Sequence, residues 1–163
     1  MEKNMKKITL TGASIAAAIC AIALPTIAMS EPGRGAPVAI PAPTEGKGQV
    51  IFWRSGTMMG AAMGCGVNIG KERISALGAG RYFVLNTAPG AYEFNAKSEA
   101  KDTLNLEVDT GEVYVVKCSI RMGLVGGRPN LAPSTLEEFN AKKKDLKYVD
   151  SDDIGAKVLA DPG

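Results

Sequence analysis

The chain has 163 residues, 19 of them basic and 17 acidic, a formal net charge of +2, and no histidine. The missing imidazole removes the commonest general base, the commonest zinc and copper ligand, and every Ser-His or Cys-His nucleophile pair. A nucleic-acid partner would call for a basic stripe, and the one basic run, Lys142-Lys143-Lys144, reads instead as a solvated helix face.

At the N-terminus, Lys3, Lys6 and Lys7 precede an apolar stretch from Ile8 to Ala23, and Ala28-Met29-Ser30 supplies a small-x-small pattern. Residues 1–30 are therefore expected to be a signal peptide, which makes the working chain periplasmic or secreted. That compartment lacks ATP and nicotinamide and is oxidising, which disfavours most intracellular enzyme classes. Lys3, Lys6 and Lys7 are three of the 19 basic residues and Glu2 is one of the 17 acidic ones, so the remainder carries 16 of each. The apolar run exceeds the usual core of about 7 to 15 residues, so an uncleaved anchor is the alternative, and a membrane contact is expected only in that case. Thr9, Thr11, Ser14 and Pro25 dilute the run and favour cleavage. Cys20 follows Ala17-Ala18-Ile19, and the bulky Ile argues against a lipid-modified cysteine.

Residues 31–46 carry four prolines and no periodic apolar face, which predicts a linker. From residue 47 to 147 short β-favouring runs alternate with Gly, Pro, Asn and Asp. Gln49 to Arg54, Val67 to Ile69, Ile74 to Leu77 and Arg81 to Leu85 give four strands. Ala88-Pro89-Gly90 turns the chain, and Tyr92, Phe94 and Ala96 then share one face of a fifth strand. Leu104, Leu106 and Val108 repeat the period of two, and Val113 to Ile120 is the longest β-favouring run. The expected fold is all-β, a small antiparallel sandwich of about seven or eight strands with one short C-terminal helix. That helix begins near Ser134, with Glu137 placed for a capping box and Leu136 and Phe139 as a partial apolar stripe. Residues 148–163 lack periodicity and predict a flexible acidic tail.

Glu93, Glu99, Glu107 and Glu112 have no special spacing and read as solvated rather than as a glycosidase pair. Gly70-Lys71-Glu72 lacks the hydroxyl residue of a phosphate-binding loop. Beyond residue 30 two cysteines remain, Cys65 and Cys118. In an oxidising compartment they most simply form a disulfide; two separate buried thiols, or reactive or metal-binding thiols, are the alternatives. The approach of their Cα atoms decides among these. Ser55 to Gly66 places Met58, Met59 and Met63 beside Cys65 among glycines. Soft-metal ligation of the kind that suits monovalent copper is one reading, but glycines impose no ligand geometry. Gap-filling over the core is the plainest reading, and an adaptable contact surface for a partner is the functional one. Trp53, Tyr82, Tyr92 and Tyr114 could stack on sugars, although Tyr92 shares the core-facing side with Phe94.

Gly48 to Arg54, Val67-Asn68-Ile69-Gly70, Pro89-Gly90-Ala91-Tyr92 and Gly111 to Val116 together resemble the bacterial envelope family known as domain of unknown function 2846. Ala88-Pro89-Gly90-Ala91-Tyr92 is also similar to the PEGA repeat, without its literal Pro-Glu-Gly-Ala string. The resemblance implies a compact β-sandwich, often tethered to the envelope, with no catalytic residues to carry over. Its shared positions are turn and packing positions, so it supports a fold and no chemistry. The sequence thus predicts a non-enzymatic exported interaction or accessory module with no cofactor and no metal. An envelope protein is its expected partner through Met58, Met59 and Met63, with a glycan or peptidoglycan ligand as the alternative.

Overall fold

Among the described residues the β-favouring runs resolve into nine strands in two sheets. The computed structural model describes residues 39–58, 60–97, 101–123 and 126–159. The expected signal peptide, residues 31–38 of the expected linker, Met59 and the last four residues lie outside that set. In chain order the strands are β1 Gly48–Trp53, β2 Cys65–Ile69, β3 Glu72–Leu77, β4 Arg81–Thr87, β5 Gly90–Lys97, β6 Lys101–Val108, β7 Val113–Met122, β8 Gly127–Ser134 and β9 Lys147–Tyr148. A five-stranded sheet runs β8-β7-β1-β4-β9 and a four-stranded sheet β3-β2-β5-β6. The all-β sandwich with one short helix is as the sequence predicts, but it is not wholly antiparallel. β1 runs parallel to β7, and β9 parallel to β4. A parallel pair needs a long crossover, and the chain supplies it between β1 and β7 by building the second sheet and β4.

β1 is buried along its whole length because both of its faces are covered. Phe52 points between the sheets, stacked on Phe83 at 4.9 Å and edge-on to Phe94 at 5.0 Å. Trp53 points the other way, onto Phe139 of α1 (Leu136–Lys143), which also meets Tyr82 edge-on at 5.5 Å. Strands buried on both faces read as continuous apolar runs, and Val50-Ile51-Phe52-Trp53 is one. The helix cap lies one residue later than the sequence suggests: the Thr135 hydroxyl accepts from the Glu138 amide at 3.1 Å. Ser134 ends β8 instead, where its hydroxyl donates to Glu138 and accepts from the Trp53 indole. Only Phe139 of the expected apolar stripe is buried; Leu136 is 45% exposed.

β8 has no counterpart among the expected strands, since Pro129 and Pro133 demote the run. It is an edge strand, and the Leu131 amide points away from β7 toward the Asp102 carboxylate at 2.6 Å. Pro129 and Pro133 share the parity of Leu131, so the N–H groups they lack would have faced the open edge and no ladder bond is lost. Prolines here blunt the edge against pairing with another chain.

Two expectations about segment ends are corrected. The tail is not loose over its described part: Tyr148, Val149 and Val158 are buried, Ile154 bridges to Ser75 and Val158 to Leu85. Main-chain bonds to strand edges hold it, and these leave no periodicity in the side chains. The last part of the linker is likewise engaged. Ile40 packs against the core, and Gln49 donates to the Pro41 carbonyl at 3.0 Å while Asn86 donates to the Thr44 hydroxyl at 2.6 Å.

Candidate functional site

The cysteine pair is a disulfide. Cys65 of β2 and Cys118 of β7 have Cα atoms 6.7 Å apart and join the two sheets across a separation of 53 residues. Alternation sends both inward, Cys65 with Val67 and Cys118 with Val116, and all four are buried. This removes the thiol from the soft-metal reading of the Gly/Met segment. Among the described residues no group of three His, Cys, Asp or Glu side chains is placed to hold a metal ion.

The Gly/Met segment forms the loop between β1 and β2, and its shape is set by a residue that sequence patterning did not single out. Arg54 is 2% exposed and ends the apolar run of β1. Its guanidinium donates to the main-chain carbonyls of Gly60 (2.5 Å), Leu77 (3.2 Å) and Met63. Three carbonyls satisfy much of the rigid donor fork, so one side chain folds the loop back over the end of the sandwich. Burial pushes the Arg54 pKa below its ordinary value, a shift that leaves a guanidinium charged at neutral pH. Met63 and Gly60 lie against Ile120 and Gly127, so closely that a Cβ on Gly127 would stand 2.5 Å from the Met63 sulfur. The three candidate methionines therefore divide. Met63 fills a gap, Met58 is 93% exposed, and Met59 is outside the described residues. Met122, two residues beyond Ile120 on β7, is 78% exposed.

A second feature lies on the outer face of the four-stranded sheet. A groove of 440 Å³ is lined by Gly64, Gly66, Asn68 and Gly70 along β2 and its ends, by Lys71, Arg73 and Ala76 from β3 and its turn, and by Asn95 and Lys97 from β5. The spacing explains it: β2 sends Cys65, Val67 and Ile69 inward, so the intervening Gly66 and Asn68 face out. Asn95 is 1% exposed and donates to the Gly70 carbonyl at 2.9 Å, and Asn68 donates to the Asn95 carbonyl at 3.1 Å. Arg73 also meets Asp153 at 3.3 Å. The alternation Gly-Cys-Gly-Val-Asn-Ile-Gly was visible in the sequence, but which face stays uncovered was not.

The aromatic side chains do not form a sugar platform. Trp53, Tyr82 and Tyr148 are buried around Phe139 or one another. Tyr92 stacks on Phe94 and donates to the Ala88 carbonyl, and Tyr114 donates to Asp109. Glu93 pairs with Lys101, which accounts for that carboxylate as a surface ion pair.

Residues 44–128, just over half of the chain, match the family model described as Protein of unknown function (DUF2846). That span holds β1 to β7, both cysteines of the disulfide, the Gly/Met loop and the groove. No curated protein and no solved structure matches the chain.

Proposed function

Because the chain belongs to the DUF2846 family, whose description assigns no activity, we propose from its geometry that it is a non-enzymatic interaction module whose partner contact is the methionine-bearing end of the sandwich. The observation that carries this reading is the exposure of Met58 and Met122 beside a loop whose backbone is pinned by Arg54. Unbranched thioether side chains adapt to a partner's contours. A backbone already held in place loses less entropy on association than a free loop would. The composition of residues 1–30 supports an exported module, in the periplasm or outside the cell, where an envelope protein is the fitting partner. The PEGA-like pattern around Pro89-Gly90-Ala91-Tyr92 belongs to this same reading of an exported accessory domain.

The test is a photo-crosslinking residue introduced in the intact cell at position 62, which is exposed in the same loop as Met58. One dominant crosslinked protein is expected, captured much less by the chain carrying both Met58→Ser and Met122→Ser. Equal capture by the double variant, with its disulfide and thermal unfolding unchanged, would remove this end of the molecule as the contact. Both methionines are exposed, so the substitutions do not open the core.

A further inference from the structure

We infer that the groove on the outer face of the four-stranded sheet is a binding site for an anionic saccharide, separate from the methionine-bearing end. The first argument is what the fold does not need. Gly64 and Gly66 have no positive φ, and a Cβ at either would meet nothing within 4 Å. Glycine weakens a strand interior and recurs where a ligand approaches the backbone closely. Neither turn geometry nor packing accounts for the bare floor of this groove, and a ligand resting on the backbone does.

The second argument is charge. Lys71, Arg73 and Lys97 line the groove and no carboxylate does. Among the described residues neither Lys71 nor Lys97 is in an ion pair, whereas the nearby Lys101 is spent on Glu93 and Lys157 on Glu72. Arg73 is paired with Asp153, but Lys71 and Lys97 leave two unpaired cations at one concavity of a chain this close to neutral overall, which favours a negative ligand.

The third argument is the polar lining. Asn95 is locked by its bond to Gly70, and the Asn68 amide nitrogen is directed at the Asn95 carbonyl. That arrangement leaves the Asn68 side-chain oxygen to accept from a ligand hydroxyl. The 440 Å³ volume falls in the range of organic-ligand clefts and far exceeds what a bare ion fills. No aromatic ring lines it, so the ligand is held by hydrogen bonds and charge. A hydroxyl-rich acid such as a uronic acid chain has that chemistry.

The experiment follows backbone amide signals of the full, oxidised chain on addition of trigalacturonate, with maltotriose as a neutral saccharide and inorganic phosphate as a bare anion. Shifts at residues 64–71 and 95–97 are expected with trigalacturonate, weakening as salt is added because the cations are exposed. Affinity should drop roughly tenfold in Gly66→Val, whose side chain fills the floor, and by a similar factor in the surface variant Lys97→Glu, which leaves the packing untouched. Maltotriose should bind more weakly by about the same factor. No shifts in the groove with trigalacturonate, undiminished binding by both variants, or phosphate binding as tightly as trigalacturonate would overturn the inference. Because neither substitution touches Met58 or Met122, loss of saccharide binding with intact protein capture separates this site from the partner contact.

Discussion

The two flanks of the sandwich are closed by different chemistry. On one, the main chain does the work: Lys147 and Val149 donate to Gly80 and Tyr82 at the outer edge of β4, and Leu159 donates to Val84. Gly155 of the same segment donates to Ile74 at the edge of β3, so one stretch of chain ties both sheets. On the other flank the Asp102 carboxylate joins β6 to β8, accepting from the Leu131 amide and from the Asn130 side chain. Beyond Asp102 the sheets part and leave an apolar cleft of 290 Å³ lined by residues that include Leu104, Leu106, Val116 and Pro133. Main-chain closure tolerates most side-chain changes, because every residue but proline brings the same donor. The Asp102 link, by contrast, depends on the identity of a side chain.

Cutting the staple between the flanks has the largest expected effect. Opening the 53-residue loop closed by Cys65 and Cys118 should cost about 4 kcal/mol in the chain-entropy account. Urea unfolding with and without reductant measures it, and an unchanged midpoint would mean that the flanks alone hold the sheets together. Next comes Gly155→Ala, since the added Cβ would stand 2.3 Å from the Ile74 carbonyl oxygen. The segment must shift to relieve it, at a cost of about 2 kcal/mol, and amide exchange should rise at Gly155 and Leu159 while Leu131 stays protected. Asp102→Ala should do the converse. It leaves the Leu131 amide and the Asn130 side chain without their shared acceptor, for about 1–2 kcal/mol, with faster exchange at Leu131 alone. If either variant loosens both flanks together, the two closures are one cooperative unit and the contrast fails.

The smallest effect lies on neither flank and calibrates both. Glu138 of α1 accepts from Lys117 at 2.5 Å and from Ser134 at 2.7 Å, and the Lys117 bond, then the Ser134 bond, holds its carboxyl below the usual carboxylate range. A folded pKa below the unfolded one gives stability that is present above the unfolded value and lost as pH falls through the folded value. With both partners partly exposed, the contribution is under about 1 kcal/mol. Glu138→Gln should lower stability at neutral pH by about that amount and leave the acid region, where the carboxyl is already protonated, nearly unchanged, so that the acid limb of a stability-against-pH curve flattens. A wild-type curve with no acid limb would remove the pair as a stabilising contact.

Most of the sheet framework was legible in advance because alternation is local. Tyr92, Phe94 and Ala96 share a face with no knowledge of what covers it, and the runs at β1, β4 and β7 carry enough β-branched and aromatic residues to stand alone. β8 was not legible, because the two prolines that argue against a strand are harmless only on an outward edge, and being outward is a fact about β7. The described tail escaped notice for a related reason: its bonds run from its main chain to β3 and β4, so Ile154 and Val158 look isolated along the sequence. Of the candidate site residues, the exposure of Met58 accords with a contact surface, while Met63 is spent on packing against Ile120 and Gly127. Arg54 was hidden because a charged residue after an apolar run normally marks emergence into solvent, and here the loop folds back to enclose it.

By itself the sequence determined the fold class, most of the strands, the missing imidazole chemistry, and the small-residue alternation along β2. Each of these depends on residues a few positions apart, where side-chain period and backbone propensity act directly. Only the tertiary structure decided that Cys65 meets Cys118, that Arg54 pins the methionine loop, that β1 lies between β4 and β7, and that the glycine face of β2 stays uncovered. Those outcomes depend on which sheet edges and faces come together across tens of residues, and the packing that selects them is a property of the whole chain.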